Sequence, residues 1–114
     1  MVKAARRQLL HAQKLAKLLM GRDIKHILLL LHVGAFNTVS LLDVLTAFKA
    51  EGVRFISLQT ALTDPVYGID PNLPMPDGRD FLEQLAAMKG VVDPYGEGSF
   101  DLYRPEALGK LCVR

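Results

Sequence analysis

The run Ile27-Leu28-Leu29-Leu30-Leu31 ends on His32 and is followed at once by Val33-Gly34-Ala35-Phe36-Asn37. A continuous apolar run that stops at a glycine-containing turn reads as a strand covered on both faces, the texture of a parallel sheet. Periodicity alone also admits a buried helix segment. In open α/β sheets and in barrels, chemistry gathers where parallel strands end and the loops into the helices begin. His32 stands at such a place. A lone histidine is not an active site, however, and taken by itself it reads as a buried, hydrogen-bonded side chain.

The surrounding pattern extends the α/β expectation. Residues 4–20 suit a helix, with Leu9, Ala12, Leu15, Ala16 and Leu19 at three- and four-residue spacing and Gly21 at the end. Lys25 to His32 is the first expected strand. Ser40 with Asp43 resembles a capping box, and Leu41, Val44, Leu45 and Phe48 make one apolar stripe up to Gly52. Val53 to Leu58 is the second expected strand, and strand, helix, strand with short connections is a βαβ unit. Gln59 to Leu62 reads as one helical turn. A long loop follows from Asp64-Pro65, broken by Pro71, Pro74, Pro76 and Gly78. A third helix, roughly Arg79 to Lys89, is expected to bury Phe81, Leu82, Leu85 and Met88 and to stop at Gly90. Pro105 sits at the first position of a short last helix. Two parallel strands leave two open edges and do not make a stable sheet. The elements therefore imply a partner, or membership of a larger α/β domain.

A chain of 114 residues, 50% hydrophobic and 23% charged, is globular in composition and sized for one domain. No apolar stretch approaches the roughly 20 residues that cross a bilayer, so no transmembrane segment is expected. The polar residues Gln8, His11, Gln13, Lys14 and Lys17 break up what a secretory signal would keep apolar, so the chain as written reads as cytoplasmic. Cys112 is the only cysteine, which excludes an internal disulfide and a cysteine metal cluster; it reads as a small packing residue.

Charge is uneven. The basic helix over residues 1–22, with the four residues after it, holds Lys3, Arg6, Arg7, Lys14, Lys17, Arg22 and Lys25 against Asp23 alone, a net +6. With +2 overall, the rest of the chain carries −4. Such an arm is either an ordinary solvated helix face or a contact for nucleic acid or an anionic surface. It has no aromatic residue to stack on a base and matches no nucleic-acid motif, so nucleic acid is not the expected partner.

Gly21-Arg22-Asp23-Ile24 leading to Ile27-Leu28-Leu29-Leu30-Leu31-His32-Val33-Gly34-Ala35-Phe36 resembles the final catalytic motif of polysaccharide deacetylases with a NodB-homology domain. The resemblance continues through Gly52-Val53-Arg54-Phe55-Ile56-Ser57-Leu58 and Ala61-Leu62-Thr63-Asp64-Pro65-Val66-Tyr67 to Leu108-Gly109-Lys110-Leu111-Cys112. It covers nearly the whole chain from about Leu9, in uninterrupted order. It departs where Lys25-His26 and an additional leucine lengthen the strand, and at Asn37, where the nearest relatives more often have an aspartate.

The resemblance implies that residues 1–114 are a single partial domain, the C-terminal portion of a distorted (β/α) barrel. It further implies metal-assisted removal of acetyl groups from carbohydrates. In such enzymes zinc or another divalent metal, held by an aspartate and a His-x-x-x-His pair, polarises the carbonyl and activates water. A second aspartate is the base, and the histidine of the last motif protonates the departing amine. His32 matches that acid, and Leu30 the wall of the acetyl-methyl pocket.

This chain has no metal half of its own. Its histidines are His11, His26 and His32, and no pair has helix-face spacing. His26 and His32 on one strand would lie roughly 20 Å apart. An acid without metal and base gives essentially no turnover, because these groups act as a unit. The expected partners are thus an upstream half-barrel chain supplying the metal site, or a second copy in a homodimer, with acetylated carbohydrate as substrate of the complete assembly. The alternative is a small binding protein that uses its basic first helix, or a non-catalytic homodimeric module.

Overall fold

The computed structural model describes residues 2–27, 35–73 and 80–95. In order they form helix α1 (Val2–Met20), helix α2 (Ala35–Ala50), the short helix α3 (Leu58–Leu62), a 3-10 turn (Pro65–Gly68) and helix α4 (Phe81–Met88).

Helix α1 carries the expected stripe: Leu15, Ala16 and Leu19 are buried, with Ala12 packed beside them. Gly21 closes it at φ 68°, where its N–H donates to the Lys17 carbonyl at 2.9 Å. A residue with a Cβ is strained in that left-handed conformation, which is why glycine serves at this position. The Leu19 carbonyl, another that the helix itself leaves without a donor, accepts from Lys89 Nζ at 2.7 Å. That contact ties the end of α1 to the end of α4.

The core is the seam between α1 and α4. Leu82, Leu85 and Ala86 of α4 join Leu15, Ala16 and Leu19, with Val66 of the 3-10 turn completing the cluster. Helix α2 also packs on α1. It buries Val44 and Phe48, the centre of the stripe expected from sequence. An ion pair between Arg6 of α1 and Glu51 joins the two helices at the rim.

The α/β expectation is overturned. Among the described residues there is no strand, and hence no βαβ unit and no portion of a (β/α) barrel sheet. The physical reason lies in where the backbone groups go. At the start of the first expected strand, Lys25 and Ile27 satisfy theirs on the side chains of Asp64 and Tyr67 and not on a ladder. The rest of that segment, with His32, lies outside the described residues. The second expected strand is squeezed between two helix ends. Val53 N–H donates to the Phe48 carbonyl, closing α2, and Ser57 caps α3 by accepting from Thr60 N–H at 3.1 Å. Among the described residues no second backbone pairs with residues 54–56 between them.

Helix boundaries correct two further expectations. α2 begins at Ala35, so Ser40 and Asp43 are inside it and do not cap it. The capping box belongs to α4. There Asp80 accepts from Glu83 N–H and Glu83 accepts from Asp80 N–H, both at 2.9 Å. In α4, Leu82 and Leu85 are buried as expected, whereas Met88 is exposed. The helix expected from Pro105, and Cys112, lie outside the described residues.

Candidate functional site

His32 and Leu30, the two site residues expected from sequence, lie outside the described residues. The structure does describe how the chain is held as it runs toward them. Asp64, 5% exposed, is the centre of that attachment. Its two carboxylate oxygens accept from both terminal nitrogens of the Arg22 guanidinium, at 2.6 and 3.1 Å. They also accept from the backbone N–H groups of Lys25, at 2.9 Å, and Val66, at 3.1 Å. Bidentate pairing of a planar guanidinium with a carboxylate fixes orientation as well as distance. The Val66 contact makes Asp64 the N-cap of the 3-10 turn, with Pro65 at the first position, where a missing N–H costs nothing. The Arg22 hydrogen bonds, aided by the two backbone N–H groups, hold the Asp64 carboxyl well below the usual carboxylate range despite its burial.

Tyr67, on the same turn, takes over what a neighbouring strand would do. Its hydroxyl donates to the Lys25 carbonyl at 2.5 Å and accepts from Ile27 N–H at 3.1 Å. In extended backbone the C=O of one residue and the N–H two residues on lie on one edge, so a single hydroxyl can pair both. The ring stacks on Phe81, centroid to centroid 5.7 Å, which anchors it to α4. Burial pushes the phenol pKa up, keeping the hydroxyl protonated and able to donate. Lys25 Nζ adds a 2.7 Å bond to Thr63 Oγ1. Between Lys25 and Ile27 sits His26, half-buried, whose imidazole pKa is lowered by burial, with the carboxylates of Asp23 and Asp64 pulling the other way.

The other notable histidine is His11. Nearly buried on α1, it lies 2.6 Å from Asp93 through Nε2, joining α1 to the segment after α4. Among the described residues no group of three His, Cys, Asp or Glu side chains could hold a metal ion.

Sequence reasoning named Arg22, Asp64 and Tyr67 as parts of a pattern but did not bring them together. One local signal was available: Asp directly before Pro is a helix-start signature. The pairing of Arg22 with Asp64 spans 42 residues and has no such signature. In comparison with known proteins, no family model matches this chain, and neither does any curated protein or solved structure.

Proposed function

We propose that this chain is a polysaccharide-deacetylase-like polypeptide that contributes His32 as general acid to a carbohydrate-deacetylating assembly and turns over nothing by itself. The sequence motifs from Gly21-Arg22-Asp23-Ile24 to Ala61-Leu62-Thr63-Asp64-Pro65-Val66-Tyr67 support this reading. The observation that carries it is that these two separated stretches meet, through the Arg22–Asp64 pair and the Tyr67 hydroxyl. The contact fixes residues 25–27, from which the chain runs on to His32. In this role the imidazolium of His32 gives its proton to the amine nitrogen as the acetyl carbon–nitrogen bond breaks, so that the sugar leaves as a neutral amine. Metal and base come from a second polypeptide.

The test measures acetate released from acetylated chitooligosaccharide. The chain alone, with zinc or cobalt, is expected to release none. Mixed with a polypeptide bearing paired aspartates and a His-x-x-x-His pair, it is expected to restore release. His32→Ala then abolishes turnover while bound metal stays constant. Release by the isolated chain, or release from the mixture that His32→Ala leaves intact, overturns the assignment. Metal lost together with activity shows that His32 is a ligand and not the acid.

A further inference from the structure

The helix that opens the chain presents cations on one side. At 100° and 1.5 Å per residue, Lys3, Lys14 and Lys17 fall within a narrow arc of α1 and along about 21 Å of its length. All three are exposed, and among the described residues no carboxylate pairs with any of them. The arc faces solvent because the opposite face of α1 is committed to the core through Leu15, Ala16 and Leu19.

Two shallow clefts flank this ridge and share Lys14. The first, about 340 Å³, runs by Lys3 and Lys14 to Tyr95, and among the described residues no acidic side chain lines it. The second, about 390 Å³, lies past Lys17, with Asp23 the one carboxylate among the described residues that line it. Lys14 lines both, so the path they trace along the helix is basic at Lys3, Lys14 and Lys17. Tyr95 is set against that path by a specific relay. Asp93, held by His11 at 2.6 Å, accepts from Tyr95 N–H at 2.8 Å through its other oxygen. The ring lies with Lys14 Nζ 5.7 Å from its centroid and remains 42% exposed. A residue 81 positions from Lys14 in sequence thus supplies the aromatic surface that the basic arm itself lacks.

We propose that this face of α1, with Tyr95 at its edge, is a binding site for a linear acidic polysaccharide bearing carboxylate or sulfate groups along its chain. Lysine ammonium groups meet the anions, and one sugar ring lies against the tyrosine. Single-stranded nucleic acid fits less well, because its sequence-independent binding relies on several aromatic side chains stacking successive bases. Among the described residues the path offers one, Tyr95. The choice of polymer rests on the carbohydrate reading above; the charge and shape of the site do not.

Binding of the full chain to polygalacturonate, dextran sulfate, neutral dextran and oligothymidylate tests the proposal without any turnover. Polygalacturonate and dextran sulfate are expected to bind at low ionic strength and to weaken as salt rises, since counterions are released on binding. Of these two, the tighter binder identifies carboxylate or sulfate as the recognised group. Neutral dextran is expected not to bind. Replacing Lys3, Lys14 and Lys17 together by Gln should lower affinity at least about tenfold, while replacing all three by Arg preserves it. Should the Gln variant fail to fold by circular dichroism, Lys14→Gln alone decides, with a several-fold loss expected. Tyr95→Ala should weaken polygalacturonate binding without changing its salt dependence. Failure of both acidic polysaccharides to bind overturns the proposal. So does tighter binding of oligothymidylate, or affinity indifferent to the lysines. Acetate release that depends on His32, without polygalacturonate binding, sinks this site alone; the converse sinks the deacetylase reading alone.

Discussion

At the scale of single residues, two side chains hold the extended segment 25–27 in place, and each makes a measurable claim. Tyr67 satisfies the Lys25 carbonyl and the Ile27 N–H with one hydroxyl. Tyr67→Phe keeps the stacking on Phe81 and removes both bonds. The expected cost is about 1–2 kcal/mol, because two half-buried backbone groups lose their partner. Thermal unfolding checks it, and local hydrogen exchange should rise at Ile27. A variant as stable as the parent, with Ile27 still protected, would show that the hydroxyl is not the partner that matters.

Acid sensitivity follows from the same cluster, in two steps of one sign. Burial holds the His26 pKa below its usual 6.5, so the unfolded chain takes up that proton first. Stability therefore falls as pH drops through about 6.5. Asp64 is held below its usual 3.8, chiefly by Arg22. Its contribution is fully present above that value and is lost as pH falls further toward the folded-state value. Melting temperature between pH 8 and pH 3 should decline in both windows. His26→Gln should remove the upper step and keep the lower. Asp64→Asn should lower the whole curve and flatten the acid end. A profile unchanged by either substitution contradicts this account.

At the scale of elements, the helices were legible and the strands were not. Helical periodicity is a local property, and the stripes of α1 and α2 bury Leu15, Ala16, Leu19, Val44 and Phe48 and leave Leu9, Ala12, Leu41 and Leu45 half-buried. The glycines that end them were legible for the same reason, since Gly21 and Gly52 both have positive φ. Capping was half legible. Ser40 with Asp43 fits the pattern but falls inside α2, while Asp80 with Glu83 fits as well and is the box that forms. A four-residue signature recurs by chance, and packing decides which copy is used. Strand character is different in kind, because an extended segment becomes a strand only when a second backbone pairs with it. Lys25 and Ile27 find a carboxylate and a phenol 39 to 42 residues away, which no local pattern encodes. The same limit applied to the site. Asp64-Pro65 reads as the start of a long loop, where the structure has a 3-10 turn, and nothing near Arg22 announced its partner.

At the scale of the whole molecule, large apolar side chains among the described residues lie outside the core. The core seam between α1 and α4 takes up Leu15, Leu19, Val66, Leu82 and Leu85. On α2, Val39 is 80% exposed and Leu42 71%, on the side away from Val44 and Phe48. Phe55, Ile56, Leu58 and Leu62 are all exposed in the stretch that follows. Scattered apolar side chains are ordinary on a surface, but a run of large ones concentrated in neighbouring segments marks a surface that drives association. A chain that works only with a second polypeptide would carry such a surface, and without that partner it should cover it with its own copies. Sedimentation of the purified chain is therefore expected to show mass rising with concentration. Leu42→Lys combined with Phe55→Lys should shift it toward monomer, since each buries a charge in any apolar contact. The helices should survive, because neither side chain belongs to the core. If the parent chain stays monomeric at high concentration, the exposed residues are solvated singly. The proposal of a second polypeptide then loses this support.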